Sequence, residues 1–149
     1  MTTKNSTLVA NFEATPQVAN AAHNLHGVLR VAQGTIALAA GDSTDNDIVM
    51  FAPIPANASI TALKVGSDTL GGSCTFNVGI YTTAGAVKDE DFFGTLVADQ
   101  ADINTIGQQL FEMAGDSNGD EAYYYIAATF SATGGTAGDM SFIIEYVVN

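Results

Sequence analysis

From Cys74 to Thr82 the chain alternates: Cys74, Phe76, Val78 and Ile80 take every second place, with Thr75, Asn77, Gly79 and Tyr81 between them. Period two is the spacing of a β-strand with one face in an apolar core, because successive side chains project to opposite sides of a pleated sheet. The pattern returns twice towards the end of the sequence. Tyr124, Ile126, Ala128 and Phe130 oppose Tyr123, Tyr125 and Thr129, and Met140, Phe142, Ile144, Tyr146 and Val148 oppose Ser141 and Glu145. Half-buried strands of this kind belong to antiparallel sheets, and a chain with three of them must bring their apolar faces together. Phe76, Val78, Ile80, Tyr124, Ile126, Phe130, Phe142 and Ile144 are therefore the expected core.

Weaker signals fill in the rest. Val28-Leu29-Arg30-Val31 and Thr35-Ile36-Ala37-Leu38, separated by Gln33-Gly34, predict a strand pair or one long strand bulged at Gly34. Gly41 to Asn46 predicts a turn. Ile48 to Ala52 predicts a strand apolar on both faces that stops at Pro53-Ile54-Pro55, since proline has no N–H to give a central ladder. Ser59 to Val65 predicts a strand with Thr61, Leu63 and Val65 on one face and a turn at Gly71-Gly72 after it; Thr133 to Gly138 predicts a hairpin loop between the last two strands. Ile103, Ile106, Leu110 and Met113, spaced by 3, 4 and 3 residues, allow a short helical turn between Ala98 and Met113, with a strand stub from Leu110 to Met113. Gly107 weakens the helix. Strands at turn spacings of roughly 8 to 12 residues predict an all-β, single-domain antiparallel β-sandwich, of jelly-roll or related Greek-key topology. Residues 1–24, rich in Thr, Asn and Ala and without sustained periodicity, read as an extended N-terminal arm, and residues 25–149 as the sandwich domain.

Charge narrows the partners. Sixteen acidic residues against four basic ones give a net charge of −12, and Lys4, Arg30, Lys64 and Lys88 stand singly along the sequence. Nucleic acid and anionic membrane surfaces both require clustered basic residues, so neither is expected as a partner. A bilayer-spanning helix needs ~18 or more consecutive apolar residues, and no run here approaches that. With one cysteine, Cys74, no intrachain disulfide can form, and the first residues lack the apolar stretch of an export signal, so synthesis in a reducing cytoplasm is expected. Charged residues make up 13% of the chain, about half the usual share. Wide areas of surface must then be coated by small uncharged side chains, as surfaces that meet other subunits often are.

Catalytic patterns are missing. No glycine-rich loop precedes Lys-Ser or Lys-Thr, no Gly-x-Ser-x-Gly elbow occurs, and both histidines, His23 and His26, fall around the end of the arm. Those two histidines have no third zinc ligand at a recognisable spacing. Three acidic clusters remain, at Asp42 to Asp47, Asp89 to Asp91 and Asp116 to Glu121. The third begins like a calcium loop with Asp116, Asn118 and Asp120, but its glycine is Gly119 and Ala127 stands where a bidentate Glu is needed. Solvated loops are the simpler explanation, with calcium the alternative. Paired carboxylates of a glycosidase are not marked, and the chain has no Trp to stack a sugar. No catalytic, cofactor or metal residue is therefore assigned. Tyr123 and Tyr125, on one side of their strand, offer an aromatic patch for a ligand, and a strand between the core and a subunit interface explains the tyrosine triplet at least as well. In the arm, Val9, Phe12 and Val18 are the candidate anchors to a partner.

The arm, the turn Asp45-Asn46-Asp47 leading to Ile48-Val49-Met50-Phe51, the link Pro53 to Ala58, and the runs Ile60 to Val65, Phe76 to Tyr81 and Phe142 to Val147 together resemble small virion structural proteins of tailed bacteriophages. Within that group the chain is similar to capsid decoration, or cement, proteins. The resemblance implies a non-enzymatic protein on the outer capsid surface, made in a bacterial host's cytoplasm. It further implies that the protein binds the major capsid protein, clamps adjacent capsid subunits and forms a homotrimer. The competing expectation is a receptor- or glycan-binding β-sandwich on a tail or cell surface.

Overall fold

The computed structural model describes residues 14–19, 28–72, 74–98 and 122–148, together with the backbone of 104–105 and 111–112. Among the described residues there are nine strands: β1 (Leu29–Leu38), β2 (Ile48–Pro55), β3 (Ala58–Ser67), β4 (Thr75–Tyr81), β5 (Val87–Val97), β6 (Asn104–Thr105), β7 (Phe111–Glu112), β8 (Tyr123–Ala132) and β9 (Gly138–Val148). One sheet runs β1-β9-β3 and then β6, with β7 also on β3; the other runs β2-β8-β4-β5. β6 and β7 share one lane, since Lys64 and Val65 face Thr105 and Asn104 while Ser59 and Ile60 face Glu112 and Phe111. Every pairing is antiparallel. Apart from the β4–β5 hairpin and the shared β6–β7 lane, each strand hands the chain to the opposite sheet, which is the interleaving of a jelly roll.

The core lies where the alternating strands place it. All eight expected core residues are buried, and Phe142 of β9 stacks on Phe51 of β2 at 5.0 Å, joining the two sheets. Phe76 and Phe130 meet edge to face at 6.0 Å on neighbouring strands.

Several local expectations are corrected. β1 is one strand whose register with β9 is unbroken, with no bulge at Gly34. Gly34 lies opposite Phe142, and a Cβ there would stand 3.0 Å from the ring, so the glycine makes room for the aromatic. β2 continues through Pro53 and Pro55 because it is an edge strand: residues two apart point their nitrogens the same way, here to the side with no neighbour. Thr61 does not share a face with Leu63 and Val65. A bulge between Ile60 and Ala62 switches the inward parity from Ala58 and Ile60 to Leu63 and Val65, and Thr61 instead donates its hydroxyl to the Glu145 carbonyl at 3.1 Å. Thr133 to Gly138 is not a hairpin loop, since β8 and β9 belong to different sheets. It is tied to other crossing loops, Gly134 N donating to Ser43 O at 2.8 Å and Thr136 N to Leu70 O at 2.9 Å.

The second acidic cluster is not a loop but part of β5, a strand the hydrophobic pattern does not reveal. The expected strand stub appears as β7, and Asn104–Thr105 is strand where a helical turn was allowed. The rest of 99–121 lies outside the described residues, as do His23, His26 and the boundary at residues 24 and 25.

Candidate interaction surface

The strands β2, β8 and β4 lie side by side and contain no Asp, Glu, Lys, Arg or His. In a chain of net charge −12 this is a concentrated absence. Their inner residues make the core; the register decides what faces outwards. Ile48, Met50, Pro53 and Pro55 of β2 lie opposite Thr129, Ala127, Tyr125 and Tyr123 of β8, and Thr129, Ala127 and Tyr125 lie opposite Asn77, Gly79 and Tyr81 of β4. Tyr123 is 49% exposed, Ile48 41%, Pro53 is exposed, and Met50, Pro55 and Tyr125 are half-buried. Thr129, Ala127, Gly79 and Tyr81 on the same side are buried, so the open, neutral part of the face is β2 with the Tyr123 and Tyr125 end of β8.

Its far side is closed by β5. Ile80 pairs with Asp89 and Val78 with Gly94, so Glu90 to Phe93 form an excursion opposite the single residue Gly79. The backbone of Asp89 and Glu90 lies against Gly79, where a Cβ would collide with both carbonyl oxygens. Glu90 accepts a hydrogen bond from the Asn77 side-chain amide at 3.0 Å, and Thr95 donates its hydroxyl to the Asn77 side-chain oxygen at 2.7 Å. Phe93 packs on the core while its edge-to-face partner Phe92 stays at the surface. Tyr81 is buried beside this excursion, its hydroxyl hydrogen-bonded to that of Thr129. Burial pushes the Tyr81 phenol up, and the charge of Glu90 adds to the shift.

One end of the sandwich is acidic. The crossing loops there carry Asp42, Asp45, Asp47 and Asp68, with Asp139 at the start of β9. Several of these carboxylates hold backbone. Ala39 N donates to Asp42 at 2.8 Å, Thr44 N to Asp47 at 2.9 Å, and Asp139 N to Asp68 at 2.9 Å. The Thr44 hydroxyl also bonds Asp47, and together these hydrogen bonds hold the Asp47 carboxyl below its ordinary range. At the opposite end the turns Ala56–Asn57 and Thr82–Ala86 carry no charged residue.

Among the described residues no group of three His, Cys, Asp or Glu is placed to hold a metal ion, and no buried side-chain nitrogen or oxygen lacks a partner. Cys74 is a core residue whose thiol burial pushes up, away from the thiolate a nucleophile needs. Of the three arm anchors, Val18 is exposed, and Val9 and Phe12 lie outside the described residues. The sequence pointed to Tyr123, Tyr125 and Ile48 to Ala52 as separate features. What it did not show is that they share one face; the readable signal was the lack of charge in all three segments.

No protein-family model matches the chain, and no curated protein sequence matches it. Solved structures do. A chain in the capsid asymmetric unit of cyanophage Pam1 aligns over the whole of both chains at 15% identity with a TM-score of 0.62. A chain in the acidic stable capsid structure of Helicobacter pylori bacteriophage KHP30 aligns at 12% identity and a TM-score of 0.56, over 83% of this chain and 90% of that one. A chain in the capsid of Ralstonia phage GP4 aligns at 18% identity and a TM-score of 0.53, over 83% and 86%. At these identities the likeness is one of fold: the chain shares its jelly roll with chains of three phage capsid structures.

Proposed function

We propose that the protein is a non-enzymatic structural component of a phage virion, a decoration protein that binds the outer surface of the capsid and clamps adjacent major capsid subunits. The observation that carries this is the uncharged open face of β2 and the Tyr123 and Tyr125 end of β8. A neutral tyrosine- and proline-bearing sheet face suits a permanent protein contact, where charge at the centre is depleted and Tyr enriched. The fold shared with chains of three phage capsid structures supports the same assignment. With the neutral face against its partner, the acidic end is free to point to solvent, where like charge keeps particles apart. The chain works as a homotrimer, and the arm, through Val9, Phe12 and Val18, docks on a capsid subunit or a neighbouring protomer.

Quantitative mass spectrometry and cryo-electron microscopy of purified virions test the assignment. Hundreds of copies on the shell exterior are expected. A few copies, located on the tail, would establish the receptor-binding module instead. Recombinant chain added to undecorated particles should bind and raise the temperature at which they release their genome. Removing residues 1–24 should leave a folded β-domain with much weaker attachment; equal attachment makes the arm dispensable.

A further inference from the structure

Three of the strands that end the two sheets have described side chains, and two of these are guarded. β2 carries Pro53, Pro55 and a bulge between Met50 and Ala52. β5 carries the excursion and the charged run Lys88-Asp89-Glu90-Asp91. These are the devices by which natural proteins stop a sheet edge from recruiting another strand. β1 has none of them: ten residues in unbroken register with β9, no proline, and Arg30 as its one charge. Its outward-facing Leu29 and Val31 are each 53% exposed.

We propose that β1 is a homotypic docking strand, through which two copies of the chain join edge to edge with their β1 strands antiparallel about a two-fold axis. The sheet β1-β9-β3 then continues from one molecule into the next. A second copy is the fitting occupant because β1 is also the open edge it has to offer among the edge strands with described side chains: its β2 and β5 edges are blocked in the same way. Charge agrees. At a net charge of −12 most surfaces of two copies repel, whereas β1 brings no carboxylate to the contact. Side-chain parity restricts the register, since residues directly opposite must share a face. Leu29, Val31, Gln33, Thr35 and Ala37 can therefore oppose only one another. This contact is separate from the capsid-binding face and can link neighbouring decoration units on a shell.

Single cysteines placed at Leu29, Val31, Gln33, Thr35 and Ala37 of the full chain, followed by mild oxidation, test the geometry. Cys74 is buried in the core, so the introduced thiol is the one that reacts. A disulfide-linked dimer is expected to peak at one or at two successive outward positions and to fall away along the strand. Val31→Lys should weaken self-association at least tenfold in sedimentation equilibrium and leave the thermal midpoint unchanged, because the side chain is at the surface. No cross-link at any position, cross-linking spread evenly over all five, or a mass indifferent to Val31→Lys overturns the proposal. A failed particle-binding experiment with an intact cross-linking peak would remove the decoration role and leave the docking strand standing.

Discussion

Phe142 shows how much can rest on one side chain. Its ring stacks on Phe51 of the other sheet and covers the backbone of Gly34 beside it, so it is both core and cross-strand partner. Phe142→Ala is expected to cost about 3 to 5 kcal/mol, measured by chemical denaturation, as the removal of a buried aromatic does. Gly34→Ala probes the same contact from the other side: a methyl group 3.0 Å from a ring already held by Phe51 should destabilise by about 1 to 3 kcal/mol, as overpacking does. Neutral replacement at Gly34 would show that the ring can shift. Asp47 gives a pH dependence. Its carboxyl titrates below the ordinary 3.8 because Thr44 donates to it from side chain and backbone. A depressed folded value means that the contribution is present above the unfolded value and is lost as pH falls through the folded one. The stability gap between the wild type and Asp47→Asn should therefore be visible above the ordinary 3.8 and should narrow as pH falls below it. A gap that stays constant with pH would detach the effect from ionisation.

Strands differed in how far they could be read in advance. β4, β8 and β9 are legible because one face meets the core and the other meets something different, so alternation survives. β5 is not, because its excursion breaks the period and Phe92 and Phe93 divide between surface and core. β3 is read with a parity error at Thr61, since one bulge exchanges the faces and leaves no trace in composition. The assignment of β8 and β9 to different sheets is equally silent, because a short glycine-rich loop serves a hairpin or a crossing alike; the hydrogen bonds to Ser43 and Leu70 that fix the crossing are long-range. β2 shows the converse. Its prolines read in the sequence as the end of a strand, yet they guard its edge. Replacing Pro53 and Pro55 together by Val should return two outward N–H groups to β2 and promote irregular association. Light scattering during storage should rise in the double variant and not in the wild type; an unchanged signal would mean that the bulge alone protects this edge.

At the scale of the molecule, charge among the described residues is segregated: an acidic end, a neutral sheet face, and a charged β5 border beside that face. Sequence arithmetic supplied the amounts, and only the strand order supplied the map. If the neutral face is the capsid contact, its energy is short-ranged and comes from buried apolar area and aromatic anchors, which salt does not screen. Dissociation of the protein from particles should then change little between low and high salt. Tyr123 and Tyr125 are the expected anchors, because they are the two large side chains at the exposed end of the face. Tyr123→Glu places a charge where the partner offers none, and desolvating it should reduce particle binding by at least a factor of ~100, the cost of an unpaired buried charge being several kcal/mol. Tyr123→Phe keeps the ring and should bind to within about tenfold of wild type, since only one hydroxyl contact is at stake. Both variants should unfold at the wild-type temperature, as Tyr123 is half in solvent and outside the core. Wild-type binding by Tyr123→Glu would mean that the capsid meets another surface, and the arm and the β1 edge would then be the first places to look.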